Sequence, residues 1–167
     1  MKKAFRRAAE AAHKAGRKVS LTLSDAFCVD RYRTEFLDLL RSRTVDILLA
    51  NDSELRSLYE TASLDTAVGM LRGDCRLSAV TVGSDGALVV TPAAVEKVPA
   101  TPVETVVDLT GAGDLFAAGF LYGIARGTAL ADAARLGCLA ASEVIGHIGP
   151  RPGRSLLALA REAGFAM

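Results

Sequence analysis

The stretch Asp108-Leu109-Thr110-Gly111-Ala112-Gly113-Asp114 holds the residue types best suited to chemistry. An apolar run, Leu115 to Leu121, follows it at helical spacing. Upstream, Val103, Val106 and Val107 predict an incoming strand, so the stretch reads as strand, glycine turn and helix start. A helix start exposes N–H groups without intrahelical partners and the positive end of the helix dipole, and so suits an anion. Glycines at 111 and 113 remove side chains that would block a phosphate. Asp114 then stands where a carboxylate takes a proton beside that phosphate. The competing reading is an ordinary turn with Asp114 as the helix N-cap, and this stretch alone does not separate the two.

Two earlier polar groups also sit where strands should end. Val45 to Ala50 is apolar except for Asp46, the pattern of a strand buried on both faces, and it runs into Asn51-Asp52-Ser53-Glu54, of the form Asn-x-x-Glu. Ala79 to Val82 predicts another strand, ending in Thr81-Val82-Gly83-Ser84-Asp85-Gly86, of the form Thr-x-Gly-x-x-Gly. Other chemistries lack their residues. There is no Gly-x-x-x-x-Gly-Lys-Ser/Thr phosphate loop and no Gly-x-Ser-x-Gly elbow, and after Gly113 the next glycine is Gly119, off the dinucleotide-fold position. His13 and His147 form no metal pair with a carboxylate at ligand spacing; His13 reads as a solvated helix residue and His147 as a loop residue. Cys28, Cys75 and Cys138 are odd in number and far apart, which excludes a disulfide framework or a zinc site and suggests reduced thiols in a cytoplasmic protein.

The elements that must position these groups follow from periodicity. Residues 3–15 predict a helix stopped by Gly16, with Phe5, Ala8, Ala9, Ala12 and Ala15 on the face that packs on a sheet. Val19, Leu21 and Leu23 alternate as a strand, and residues 30–42 predict a helix with Tyr32, Phe36, Leu39 and Leu40 on one face. Helices are expected from Asn51 to Tyr59 and from Leu64 to Leu71. Ala79–Val82 and Ala87–Thr91 flank a turn as a hairpin, and Pro92, Pro99 and Pro102 punctuate an irregular or edge-strand region. Helices follow to Arg126, from Leu130 to Val144, and after Ser155, the last two separated by a loop from Gly146 to Gly153. This order indicates an α/β fold with a mainly parallel sheet, whose ligands bind at the C-terminal ends of strands.

Composition bounds the rest. With 167 residues, half of them hydrophobic, and no repeat or linker, one domain over 1–167 is expected. A net charge of +1, few aromatics and no Trp argue against nucleic acid as a partner. No apolar run approaches the ~20 residues of a membrane-spanning helix. The basic N-terminus (Lys2, Lys3, Arg6, Arg7, Lys14, Arg17 and Lys18 against Glu10) lacks the apolar segment of a secretory signal and reads as a surface helix. Because the chain opens on a helix with few strands before its first ligand-side loop, a missing N-terminal portion is expected.

Taken in order, Asn51-x-x-Glu54, Thr81-x-Gly83-x-x-Gly86 and Asp108-x-Thr110-Gly111-Ala112-Gly113-Asp114 resemble the ribokinase-like (PfkB) family of carbohydrate and nucleoside kinases. The resemblance covers essentially the whole chain and corresponds to the C-terminal half of such an enzyme, without the N-terminal half and its lid. Leu109 departs from the Thr or other small residue usual there. The resemblance implies ATP-dependent phosphoryl transfer to a hydroxyl of adenosine or a sugar, with Asp114 as general base and Gly111, Ala112 and Gly113 lending amides to an anion hole. It implies that Asn51 and Glu54 organise Mg²⁺ and its waters, with helix capping as the alternative. Thr81, Gly83 and Gly86 would approach the ATP phosphates and ribose, and the segment from Cys138 through Ser142 to Gly149 would flank the adenine, with plain helix packing as the alternative. Asp108 and Thr110 would help hold a monovalent cation such as K⁺. Leu23-Ser24-x-x-Phe27 looks more like adenosine-kinase-type members than like ribokinase. Two rival readings remain: a truncated, non-catalytic nucleotide-binding module or pseudokinase, and a different α/β enzyme using the glycine turn for another anion. An exposed sheet edge where a missing half would pair predicts a homodimer.

Overall fold

The computed structural model describes residues 2–166. In chain order the elements are α1 (Lys2–Lys14), β1 (Ser20–Thr22), α2 (Ala26–Arg41), β2 (Ile47–Asn51), α3 (Asp52–Leu58), α4 (Leu64–Asp74), β3 (Leu77–Thr81), β4 (Ala87–Val90), β5 (Val95–Val98), α5 (Ala112–Arg126), α6 (Leu130–Val144) and α7 (Leu156–Glu162). The sheet has the strand order β1-β2-β3-β4-β5. β1 and β2 are parallel, with Ser20 opposite Ile47 and Thr22 opposite Leu49. The links β3–β4 (residues 82–86) and β4–β5 (residues 91–94) are far too short for the crossover that parallel neighbours require, so both are hairpins and the sheet is mixed. The sheet with its flanking helices is the expected α/β class.

Residue contacts divide the chain into two units, residues 1–80 with 90–95, and residues 81–89 with 96–167. In the first, β2 carries the buried run Ile47 to Ala50. Asp25 caps α2 by accepting from the Cys28 amide at 2.8 Å. The apolar face expected for α2 is not one face: a kink at Tyr32 (φ −128°) turns that residue outward, and Val29 and Leu40 are the buried positions. Among the described side chains of α1 only Ala9 is buried, while Ala8, and Ala15 just beyond the helix, are exposed, so the alanine face is narrower than its spacing suggests. His13 is not simply solvated, because its Nε2 lies 2.8 Å from Asp46, whose carboxylate also accepts from the Val19 amide.

In the second unit, α5 and α6 pack closely because Gly137 brings the two backbones together. A Cβ there would lie 2.8 Å from the Phe116 ring. Phe116 and Phe120 are buried and stacked, with ring centroids 6.1 Å apart, a burial worth about 1.5–3 kcal/mol per ring. Gly127, in the left-handed region, ends α5, and Ser155 caps α7. The strand expected from Val103 to Val107 does not form: residues 99–109 are irregular, with Val106 and Val107 half-exposed. Pro99 and Pro102 remove ladder donors, and the Val107 amide donates instead to the Ile145 carbonyl at the end of α6 (2.8 Å).

Candidate functional site

The glycine turn opens α5 without a side-chain cap. Its N-cap is Gly111, left-handed at φ +85°, so Asp114 is not the N-cap but a first-turn residue. Any other residue at 111 would be strained, and its Cβ would lie 2.7 Å from Pro150 Cβ. The Ala112 amide donates back to Leu109 O (3.2 Å) and the Leu115 amide to Gly111 O (2.9 Å). The amides of Gly111, Gly113 and Asp114 have no partner among the described residues. The open donors are therefore those three; Ala112, expected to contribute one, uses its amide to close the turn. The Asp114 carboxylate is exposed and makes no hydrogen bond or ion pair among the described residues, so both of its oxygens are free to accept a proton.

Asp108 ties the turn to the loop after α6. One of its carboxylate oxygens accepts from the Thr110 amide (2.9 Å) and hydroxyl (2.7 Å), and the other from the Gly149 amide (2.9 Å). The Thr110 hydroxyl above all, then the Gly149 amide, hold its carboxyl down to about 2. Asp108, Thr110 and Gly149 thus share a structural task, tying the turn to the loop after α6.

Within this unit a cavity of 670 Å³ brings two of the motifs together, well inside the size range of small-molecule sites. Thr81, Gly83 and Gly86 line it, as do Ala112 and Gly113 from α5 and Cys138 and Ser142 from α6. Gly86 is required by fit, since at φ +96° a Cβ would meet the Val98 carbonyl at 2.1 Å. Burial pushes the Cys138 thiol up, so it stays neutral at ordinary pH. Ser142 donates to Leu139 O at 2.9 Å and keeps its lone pairs for a ligand. Sequence reasoning missed the apolar wall: Val103, Val106, Leu109, Phe116 and Ile145. The available signal was a run of valines and a leucine, preceded by Pro99 and Pro102, that no strand pairing claims. Asp108, Thr110, Gly111, Asp114 and Gly149 do not line the cavity.

In the other unit, Asn51 and Glu54 form a complete capping box on α3. The Glu54 amide donates to Asn51 Oδ1 (2.8 Å), and the Asn51 amide and side-chain NH₂ each donate to a different Glu54 oxygen at 2.9 Å. Glu54 is buried, and that burial raises its pKa. The capping alternative is therefore realised in full. Each Glu54 oxygen keeps one lone pair, which fits a water of a hydrated Mg²⁺ but not a bare ion. Among the described residues no cluster of three or more His, Cys, Asp or Glu forms a metal cage, and no helix is long and apolar enough to cross a membrane.

The profile of the pfkB family carbohydrate kinases matches residues 1–155. The crystal structure of adenosine kinase from Sinorhizobium meliloti is 53% identical, with a TM-score of 0.96, over 98% of this chain and 50% of that one. A probable sugar kinase from Rhizobium etli is 51% identical, with a TM-score of 0.96, over 98% of this chain and 49% of that one. The cytidine kinase of Thermococcus kodakarensis is 36% identical over 122 residues, 68% of this chain and 44% of that protein. The chain thus spans half or less of the length of each of these relatives. With three motifs in order, a cavity that gathers two of them, and a family match over most of its length, the chain belongs to the pfkB family of carbohydrate kinases.

Proposed function

We propose that this chain is the nucleotide-binding and phosphoryl-transfer portion of an ATP-dependent kinase acting on a hydroxyl of adenosine or a sugar. The observation that carries the reading is the single cavity lined by Thr81, Gly83, Gly86, Gly113, Cys138 and Ser142, with the uncapped start of α5 in its wall. The apolar wall of Val103, Val106 and Ile145 suits a nucleobase, and the glycine backbones suit phosphates. The acceptor oxygen forms a bond to the γ-phosphorus as the bond to the ADP oxygen breaks, and the hydroxyl proton passes to Asp114. The amides of Gly111, Gly113 and Asp114 balance the charge on the transferring group, each such donor contributing about 3 kcal/mol to barrier lowering. Mg²⁺, when bound, would neutralise phosphate charge, and Asn51 and Glu54 would hold its waters through the lone pairs that the capping box leaves free. Asp108 and Thr110 would lend their remaining lone pairs to a monovalent cation. Names among the relatives, adenosine kinase, cytidine kinase and sugar kinase, support a nucleoside or sugar acceptor.

The test is phosphoryl transfer from ATP to a panel of nucleosides and sugars, with and without Asp114→Asn. Turnover that falls about 10²–10⁴-fold in the variant, at unchanged nucleotide affinity, is expected. Equal turnover in both would sink the general-base role. That Asp114 does not line the cavity favours a second reading, a nucleotide-binding module without catalysis; binding of ATP with no turnover of any acceptor selects it.

A further inference from the structure

Residues 145–154 touch the glycine turn at three points. Ile145 O accepts from the Val107 amide (2.8 Å), the Gly149 amide donates to Asp108 (2.9 Å), and Pro150 stands directly behind Gly111. Gly146, Gly149 and Gly153 make this loop conformationally free, so its shape must be held from outside. The far end is held by Glu143, next to last in α6. Its Oε1 accepts from the amides of Gly153 (2.9 Å) and Arg154 (3.0 Å), and His147 Nε2 lies 3.5 Å from the same oxygen. The Glu143 side chain is 6% exposed, and its Oε2 is buried with no hydrogen-bond partner. A buried carboxylate oxygen without a partner is unfavourable. What accounts for an acid at this position is the pair of loop amides gathered on the other oxygen.

We infer that Glu143 is a positioning residue for the phosphate-binding turn. By holding the Gly153 and Arg154 amides it closes the 145–154 loop, so that Gly149 reaches Asp108 and Pro150 backs Gly111. This keeps Gly111 left-handed and leaves the Gly113 and Asp114 amides open. The inference rests on the reading of that turn as a phosphate site. Its immediate structural consequence, a turn whose backbone depends on Glu143, does not.

Three variants test it: Glu143→Ala, Glu143→Gln and Pro150→Gly. Binding of a non-hydrolysable ATP analogue and of adenosine is measured by calorimetry, and the amide signals of Gly111 and Gly113 by NMR. Glu143→Ala is expected to weaken the ATP analogue about tenfold while adenosine changes less than about twofold. Glu143→Gln keeps an oxygen acceptor for the two loop amides and is expected to restore binding of the analogue. The glycine signals should shift in Glu143→Ala and Pro150→Gly and stay in place in Glu143→Gln. Equal losses for the analogue and adenosine, or unshifted glycine signals in Glu143→Ala, overturn the inference. Should the unsubstituted chain bind neither ligand, the phosphate reading fails, and the glycine signals alone decide the role of Glu143. Should Glu143→Ala not fold, Pro150→Gly decides, because it removes the same support with Glu143 intact.

Discussion

The starts of α3 and α5 set the same local problem and solve it in opposite ways. α3 follows directly on β2 and α5 follows an irregular segment, and both begin with amides that have no intrahelical partner. At α3, the Glu54 amide donates to the Asn51 side chain and the Asn51 amide to the Glu54 carboxylate, and the Asn51 side-chain NH₂ ties the same two residues together. At α5 the N-cap is a glycine with no side chain, and the Gly111, Gly113 and Asp114 amides stay open beside a cavity. The carboxylates diverge as well. Burial raises the pKa of Glu54, whereas hydrogen bonds from Thr110 and Gly149 hold Asp108 low. The lesson is that a helix start contributes to stability when its donors are answered from within, and to binding when they are left for a ligand.

Four experiments would break or sharpen this contrast. The largest effect belongs to Gly111→Ala. The left-handed backbone costs about 1–2 kcal/mol for a residue with a Cβ, and the contact with Pro150 adds to it. Affinity for a non-hydrolysable ATP analogue, by calorimetry, should fall on the order of 100-fold, as two or more charge-assisted amide contacts to its γ-phosphate are displaced. Normal binding of the analogue by this variant would remove the turn from the site.

Next comes Asn51→Ala, which takes the acceptor from the Glu54 amide and a donor from the Glu54 carboxylate. Urea unfolding should show a loss of about 1–2 kcal/mol. ADP affinity without Mg²⁺ should remain within about twofold, since each twofold is only about 0.4 kcal/mol. A large loss of metal-free binding would mean that the two helix starts are not functionally distinct.

The acid titration separates the two carboxylates by sign. Asp108 has a folded value lowered from 3.8 to about 2, so its contribution to stability is complete above 3.8 and is lost as pH falls towards 2. Glu54 has a folded value raised above 4.5, so the native state takes up a proton above that value, and stability from this group rises as pH falls through that window. Carbon-detected NMR of the side-chain carboxyls should find Glu54 titrating first and Asp108 last. The reverse order would contradict the burial of Glu54 and the hydrogen bonds to Asp108. The smallest effect is that of Asp114→Asn on stability: the loss of a first-turn charge at a helix start should cost about 0.3–1 kcal/mol. A much larger cost would give Asp114 a structural task and weaken its candidacy as a base.

Much of this molecule could be read before folding, because the features concerned are local. The helix starts at Asp52, Leu64 and Leu156, the stop at Gly127 and the buried run in β2 depend on neighbours a few residues away, and each lies close to where periodicity and capping rules put it. The three motifs were legible for the same reason, being short runs of fixed spacing. What misled was an assumption of continuity: a valine-rich approach to the glycine turn looked like a strand, but Val107 pairs with Ile145 across the fold.

The sequence by itself determined that the chain is α/β, where its helices begin, and that Asn51–Glu54, Thr81–Gly86 and Asp108–Asp114 are its polar centres. Tertiary structure alone decided which of these amides stay open, that Asp108 reaches Gly149, 41 residues away, that Pro150 stands behind Gly111, and that Glu143 gathers the Gly153 and Arg154 amides. The physical reason is that capping and periodicity act within a few residues, whereas a hydrogen bond across a closed loop leaves no local pattern in the residues that make it.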